Sequence, residues 1–273
     1  MFPPNYHPRL LQSFLDHMIL KHKHTNLALF LARNPISRMV SSFNFQRHLT
    51  FIGDPTDTGA PPYSPYVHRN QSVAAHFYND CFRTIQDVAA ALDPRRTSPG
   101  VHCSCADLGL YLITGQMETV FLEHFYYNYR RYAERALASA YSLGIKHKHV
   151  AVVRTNALWS DMSRLESLMG GPDGRFDKAE QSDYKVTHGG ELYEISTGVD
   201  EQGAIALCCL LWDDVRVYSN LILRAINLNA TEKMDTLKPV FRDCGIHRVN
   251  RFSWDDFVKW SWYDWTQRDC RPK

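Results

Sequence analysis

The sequence predicts an α/β fold in which a parallel sheet is flanked by helices. Residues 26–32 (NLALFLA) and 149–153 (HVAVV) are continuous apolar runs of strand length, the pattern of strands buried on both faces of a parallel sheet. Each run passes directly into a helical pattern, ISRMVSSFNFQR after the first and ALWSDMSRLESLMG after the second. The C-terminal part reads as helical, with a long apolar-faced segment over 201–226 and a final helix opened by the capping box Ser253-Trp254-Asp255-Asp256.

The elements follow in order. Leu10, Leu11, Phe14, Leu15 and Met18 lie at helical spacing over residues 9–20. The first strand then ends in Arg33-Asn34-Pro35. Asn34 is a good N-cap, and Pro35 suits the first helical position, where its missing N–H costs nothing. Residues 48–75 are rich in Pro, Gly, Asp and Thr and read as a long surface loop. Helical patterns resume at about 74–92, 105–116 and 118–141. A second loop, polar and Gly-rich, covers 170–198. No linker or repeat divides the chain, so 1–273 reads as one domain. The tetrapeptides Lys21-His22-Lys23-His24 and Lys146-His147-Lys148-His149 each precede a strand. That places them at the N-terminal edge of the sheet, opposite the edge where ligands bind. They read as solvated strand entries rather than metal ligands.

Composition narrows the function. Hydrophobic residues make up 44% and charged residues 22%, and 31 basic residues nearly balance 29 acidic ones for a net charge of +2. A nucleic-acid binder would show a basic excess or stripe. No run of about 18 apolar residues is present to span a bilayer, and residues 1–5 lack the features of a signal peptide. Seven cysteines stand at 81, 103, 105, 208, 209, 244 and 270. None has C-x-x-C spacing, and Cys103-Ser104-Cys105 is too close for an ordinary zinc knuckle. They read either as buried thiols or as disulfides of a lumenal protein. The sequons Asn70-Gln71-Ser72 and Asn229-Ala230-Thr231 lean toward the second.

Both strands end in an arginine, Arg33 and Arg154, at the sheet edge where anions bind. After Arg33 a helix begins, and free N–H groups at a helix start attract phosphate. Arg38 and Ser41, three residues apart, share one face of that helix, while Ile36, Met39, Val40 and Phe43 can face the sheet. Two readings fit: a phosphate monoester site, or a strand-end salt bridge beside a capped helix.

The order of residues adds to this. Arg33-Asn34-Pro35-x-x-Arg38-x-x-Ser41-x-Phe43-x-Phe45 resembles the 3'-phosphate-binding motif of the sulfotransferases. Residues 149–171 are similar to a later strand and helix of Golgi-type carbohydrate sulfotransferases, with Arg154-Thr155-x-x-Leu158, an acidic residue on the helix and a Gly ending. HFYYNYRRYAE (124–134), Cys81-Phe82-x-Thr84 and the Leu-Cys-Cys-Leu segment resemble the eukaryotic, fungal or algal branch. The resemblance implies a P-loop-NTPase-like sulfotransferase fold. The donor would be PAPS (3'-phosphoadenylyl sulfate), the product PAP, the acceptor a carbohydrate or similar hydroxyl, with no metal. Arg33 and Ser41 would hold the 3'-phosphate, with Arg38 in support. His7 would be the candidate base, since an imidazole with an ordinary pKa of about 6.5 suits neutral pH. His124, Tyr126 and Arg130, with Glu123, would be acceptor contacts. The implied compartment is the Golgi lumen or secretory pathway. There Cys81 would pair with Cys103 or Cys105, and Cys208 or Cys209 with Cys244.

The sequence departs from the family in one respect. The Pro-Lys-x-Gly-x-(Ser/Thr)-type loop that cradles the 5'-phosphosulfate, and the strand before it, have no counterpart in residues 1–32. Gly170-Gly171-Pro172-Asp173-Gly174 follows a helix and lacks the lysine. The expectation is therefore either an N-terminally truncated sulfotransferase or a domain of that fold that binds nucleotide or glycan without turnover. A P-loop kinase relative fits less well, because no Gly-Lys-(Ser/Thr) loop is present.

Overall fold

A computed structural model describes residues 27–52, 76–95, 103–113, 129, 149–171, 198–246, 253–259 and 270. The described chain is mixed α/β, mostly helical, with a small two-stranded parallel sheet. It divides into two compact units: residues 1–32, 134–192 and 224–229 form one, and 33–133, 193–223 and 230–273 the other.

The first unit holds the sheet. Strands β1 (Leu27–Ala32) and β2 (His149–Arg154) pair in parallel, with Leu27 opposite His149 and Ala32 opposite Arg154. Helix α4 (Leu158–Leu168) packs on β2, where Leu165 meets Ala151 and Val153, and Leu27 and Met162 close the cluster. Burial on both faces holds for β2, whose Ala151, Val152 and Val153 are enclosed. It does not hold for β1. Leu29 and Leu31 are 42% and 48% exposed, because successive strand side chains alternate faces and only one face of β1 is covered.

The far edge of β2 is closed by side chain as well as backbone. Ala225 forms a parallel bridge with Val150, and Ile226 N–H donates to the Val150 carbonyl at 2.8 Å. The buried Asn227 amide accepts from Val152 N–H at 2.9 Å and donates to Val152 C=O at 2.7 Å, doing for that peptide what a third strand would. Helix α4 ends at Gly170, whose φ of +78° suits a residue without Cβ. Gly170 N–H and Gly171 N–H return to the Ser167 and Glu166 carbonyls, as in a Schellman motif.

The second unit is helical. Helix α1 (Pro35–Ile52) starts as expected, with Asn34 Oδ1 accepting from Ile36 N–H and Ser37 N–H. It runs through residues 48–52, which the sequence assigned to a loop. Ile36, Met39 and Phe43 are buried. Around Phe43 gather Phe77 and Tyr78 of a π-helical turn, His76–Cys81, with ring centroids 6.0 and 5.0 Å away, and Phe82 meets Phe77 edge to face. Next come α2 (Ile85–Ala91), opened by a reciprocal Thr84–Asp87 capping box, and α3 (Cys103–Ile113).

The apolar segment 201–226 holds two helices, α5 (Glu201–Leu210) and α6 (Trp212–Arg224). Asp213 and Asp214 stand in the first turn of α6, where carboxylates complement the helix dipole. Helix α7 (Ala230–Asp243) closes in a second Schellman arrangement at Gly245, φ +78°. Ser253 opens α8 (Trp254–Lys259) through the expected box with Asp256. Helix α5 packs on α1, α2 and α7. Three disulfides link Cys81 to Cys105, Cys208 to Cys244 and Cys209 to Cys270. The first two take partners among those expected, while the third was not foreseen. No described helix is long and apolar enough to cross a membrane.

Candidate functional site

The site grows from a problem of backbone accounting. The Ala32 carbonyl ends the sheet by accepting from Thr155 N–H, and the Asn34 carbonyl begins α1 by accepting from Arg38 N–H. Between them the peptide groups of Arg33 belong to neither system. The Tyr129 hydroxyl serves both, accepting from Arg33 N–H and donating to Arg33 C=O. Tyr129 is itself fixed. Its N–H donates to Asp214 Oδ1, and Arg38 NH2 donates to Asp214 Oδ2 at 2.7 Å. The Arg38 guanidinium lies 5.6 Å from the centre of the Tyr129 ring.

The Arg33 side chain reaches along the helix, its NH1 3.2 Å from Ser41 Oγ. The two residues expected to hold a phosphate therefore do meet. Among the described residues no carboxylate pairs with Arg33. Although the residue is exposed overall, its guanidinium loses hydration to the surrounding protein. That desolvation is the main reason its pKa lies below the ordinary arginine value; the Arg38 charge adds to the depression and Tyr129 opposes it. An anion at this point would favour the charged guanidinium by coulombic attraction.

Other expected contributors have different partners. The first N–H groups of α1 are occupied by the Asn34 side chain, so the helix start supplies no free amides at Ile36 or Ser37. Arg38 is committed to the buried Asp214. Arg154 forms a bidentate pair with the fully buried Asp161 at 2.8 and 2.7 Å, and its N–H donates to the same carboxylate. Of the two strand-end arginines, Arg154 realises the salt-bridge reading, and only Arg33 keeps its charge available. His7, Glu123, His124, Tyr126, Arg130 and the sequon at Asn70 lie outside the described residues, while Asn229 is exposed.

Tyr129 and Asp214 were not anticipated. Tyr129 sits in the aromatic run HFYYNYRRYAE, where nothing in the spacing separates a ring with a polar duty from its neighbours. Asn34 carries a second duty: its Nδ2 donates to Asp243 Oδ2 at 3.1 Å. Burial pushes the Asp243 carboxyl above its ordinary pKa, against the pull of Asn34 and Arg242.

Ligand-type groups also gather elsewhere among the described residues. His76, Cys81 and Cys105 bring ligand atoms within 4.8 Å of one another, but the sulfurs are bonded to each other and are not thiolates. A cleft of about 210 Å³ between α2 and α5, lined by Gln86, Asp93, Asp200 and Gln202, falls below the range of about 300–1,000 Å³ usual for small-molecule sites. The chain matches no protein-family model, no curated protein and no solved structure.

Proposed function

We propose that this chain binds the 3'-phosphate of a PAPS-type nucleotide and is a sulfotransferase-like protein of the P-loop-like sulfotransferase fold. The observation that carries the reading is the Arg33–Ser41 pair, a guanidinium that pairs with no carboxylate among the described residues, set beside a hydroxyl just after β1. A guanidinium fork and a hydroxyl donor suit the oxygens of a phosphate monoester. The resemblance of Arg33-Asn34-Pro35-x-x-Arg38-x-x-Ser41 to the family motif supplies the nucleotide. The reaction would move the sulfuryl group of PAPS to a carbohydrate or similar hydroxyl, leaving PAP. Three disulfides support an oxidising compartment such as the Golgi lumen.

A second reading, nucleotide or glycan binding without turnover, is favoured by the missing Lys-containing loop. One preorganised donor to developing charge is worth about a hundredfold or more in rate. The chain 1–273 is therefore expected to bind 3',5'-ADP weakly and to transfer no detectable sulfate from PAPS. An NMR titration with 3',5'-ADP tests the site. Arg33→Ala should weaken binding by roughly ten- to hundredfold, the loss of a charge-assisted contact of about 1.5–3 kcal/mol. Ser41→Ala should cost about 1 kcal/mol. Equal binding by wild type and the Arg33 variant would rule out the assignment, and robust turnover would exclude the second reading.

A further inference from the structure

We infer that Tyr129 is a positioning residue for the anion site, acting through the Arg33 peptide while Asp214 and Arg38 hold it in place. The inference rests on the Arg33–Ser41 reading above. A tyrosine hydroxyl can accept and donate at one oxygen, and both capacities are used here on the same residue, from Arg33 N–H and to Arg33 C=O. The strand has ended and the helix has not begun, so among the described residues no backbone group hydrogen-bonds the Arg33 peptide. Tyr129 does so instead. Turning that peptide would swing the guanidinium off the line that brings NH1 to Ser41 Oγ.

The phenol has little freedom to give. The Tyr129 backbone N–H donates to Asp214 Oδ1, the other oxygen of that carboxylate accepts from Arg38, and the Arg38 guanidinium lies against the ring. Carboxylate, guanidinium and ring thus form a closed triangle, with Asp214 almost fully buried. Arg38 serves the site at one remove, by fixing Tyr129, and is paired with Asp214. Of the two arginines, Arg33 is the one that pairs with no carboxylate among the described residues.

The test is a double-mutant cycle read by NMR titration with 3',5'-ADP, using the whole chain. Tyr129→Phe should weaken binding by about five- to twentyfold, the scale of a lost positioning hydrogen bond. In an Arg33→Ala background the same change should have no further effect, because its influence passes through Arg33. Additive losses would mean that Tyr129 acts only on the fold at large, and would overturn the inference. So would unchanged binding by Tyr129→Phe beside a weakened Arg33→Ala; either result leaves the 3'-phosphate reading standing. Absence of binding by the wild type, or wild-type binding by Arg33→Ala, overturns that reading and this inference with it. If Tyr129→Phe does not fold, Asp214→Asn enters the same cycle under the same criteria.

Discussion

Arg154 is the last residue of β2 and Arg33 follows directly on the last residue of β1, yet the two side chains take different partners. Asp161 lies seven positions after Arg154 and reaches back from the first turn of α4 to grip it. The corresponding position after Arg33 is Val40, which offers no charge. The salt-bridge possibility was legible from the sequence; which arginine would form it was not, since that depends on how a following helix turns its carboxylate. Asp161→Ala should strand the Arg154 cation, which is 11% exposed in its side chain, and lower stability by about 3–5 kcal/mol. Urea denaturation would measure the loss. A change below about 1 kcal/mol would mean that the guanidinium finds water easily.

At the level of elements, boundaries with a local chemical signal were readable and those set by distant partners were not. Asn34-Pro35 and Ser253 announce helix starts through side chains that satisfy nearby N–H groups. The break after Leu210 has no such mark, because Leu210, Leu211 and Trp212 continue the apolar run. Asp214, in the turn that follows, is bound by Arg38 and Tyr129, both far away in sequence. Asp243 joins the end of α7 to the cap of α1 through Asn34, and its position carries a pH signature. Its folded pKa is raised, mainly by burial, so the folded state favours the protonated carboxyl. The resulting stability is fully present below the ordinary value of 3.8 and is lost as pH rises through the folded pKa. Asp243→Asn should remove that decline, raising stability at neutral pH relative to wild type. Thermal midpoints of both proteins between about pH 4 and 7 would check it, and parallel curves would exclude Asp243 as the source.

For the molecule as a whole, the two strands, their parallel order and their following helices were legible because continuous apolar runs carry that information locally. The small extent of the described sheet was not, nor was the use of Asn227 in place of a third strand. The cross-links were half legible: positions can be seen in a sequence, but connectivity requires proximity. The three bridges close separations of 24, 36 and 61 residues. In the chain-entropy account each such closure is worth about 3–4 kcal/mol against the unfolded state. Removing the third by Cys209→Ala with Cys270→Ala should cost about 2–4 kcal/mol in denaturant. Peptide mapping without reductant should recover the pairs 81–105, 208–244 and 209–270. A map joining Cys209 to Cys244 would overturn the assignment.

Adjacent cysteines with different partners also impose an order of events during biosynthesis. Cys208 and Cys209 leave the ribosome together, and Cys244 is the first of their two final partners to follow. At about 5–20 residues per second, Cys270 arrives a second or more later. Throughout that interval Cys244 faces two neighbouring thiols, only one of which is correct. Capture by the wrong one would leave Cys208 to meet Cys270, a swapped pair that only thiol–disulfide exchange can undo. Maturation of this chain would thus draw on a disulfide isomerase, beyond what an oxidant alone supplies.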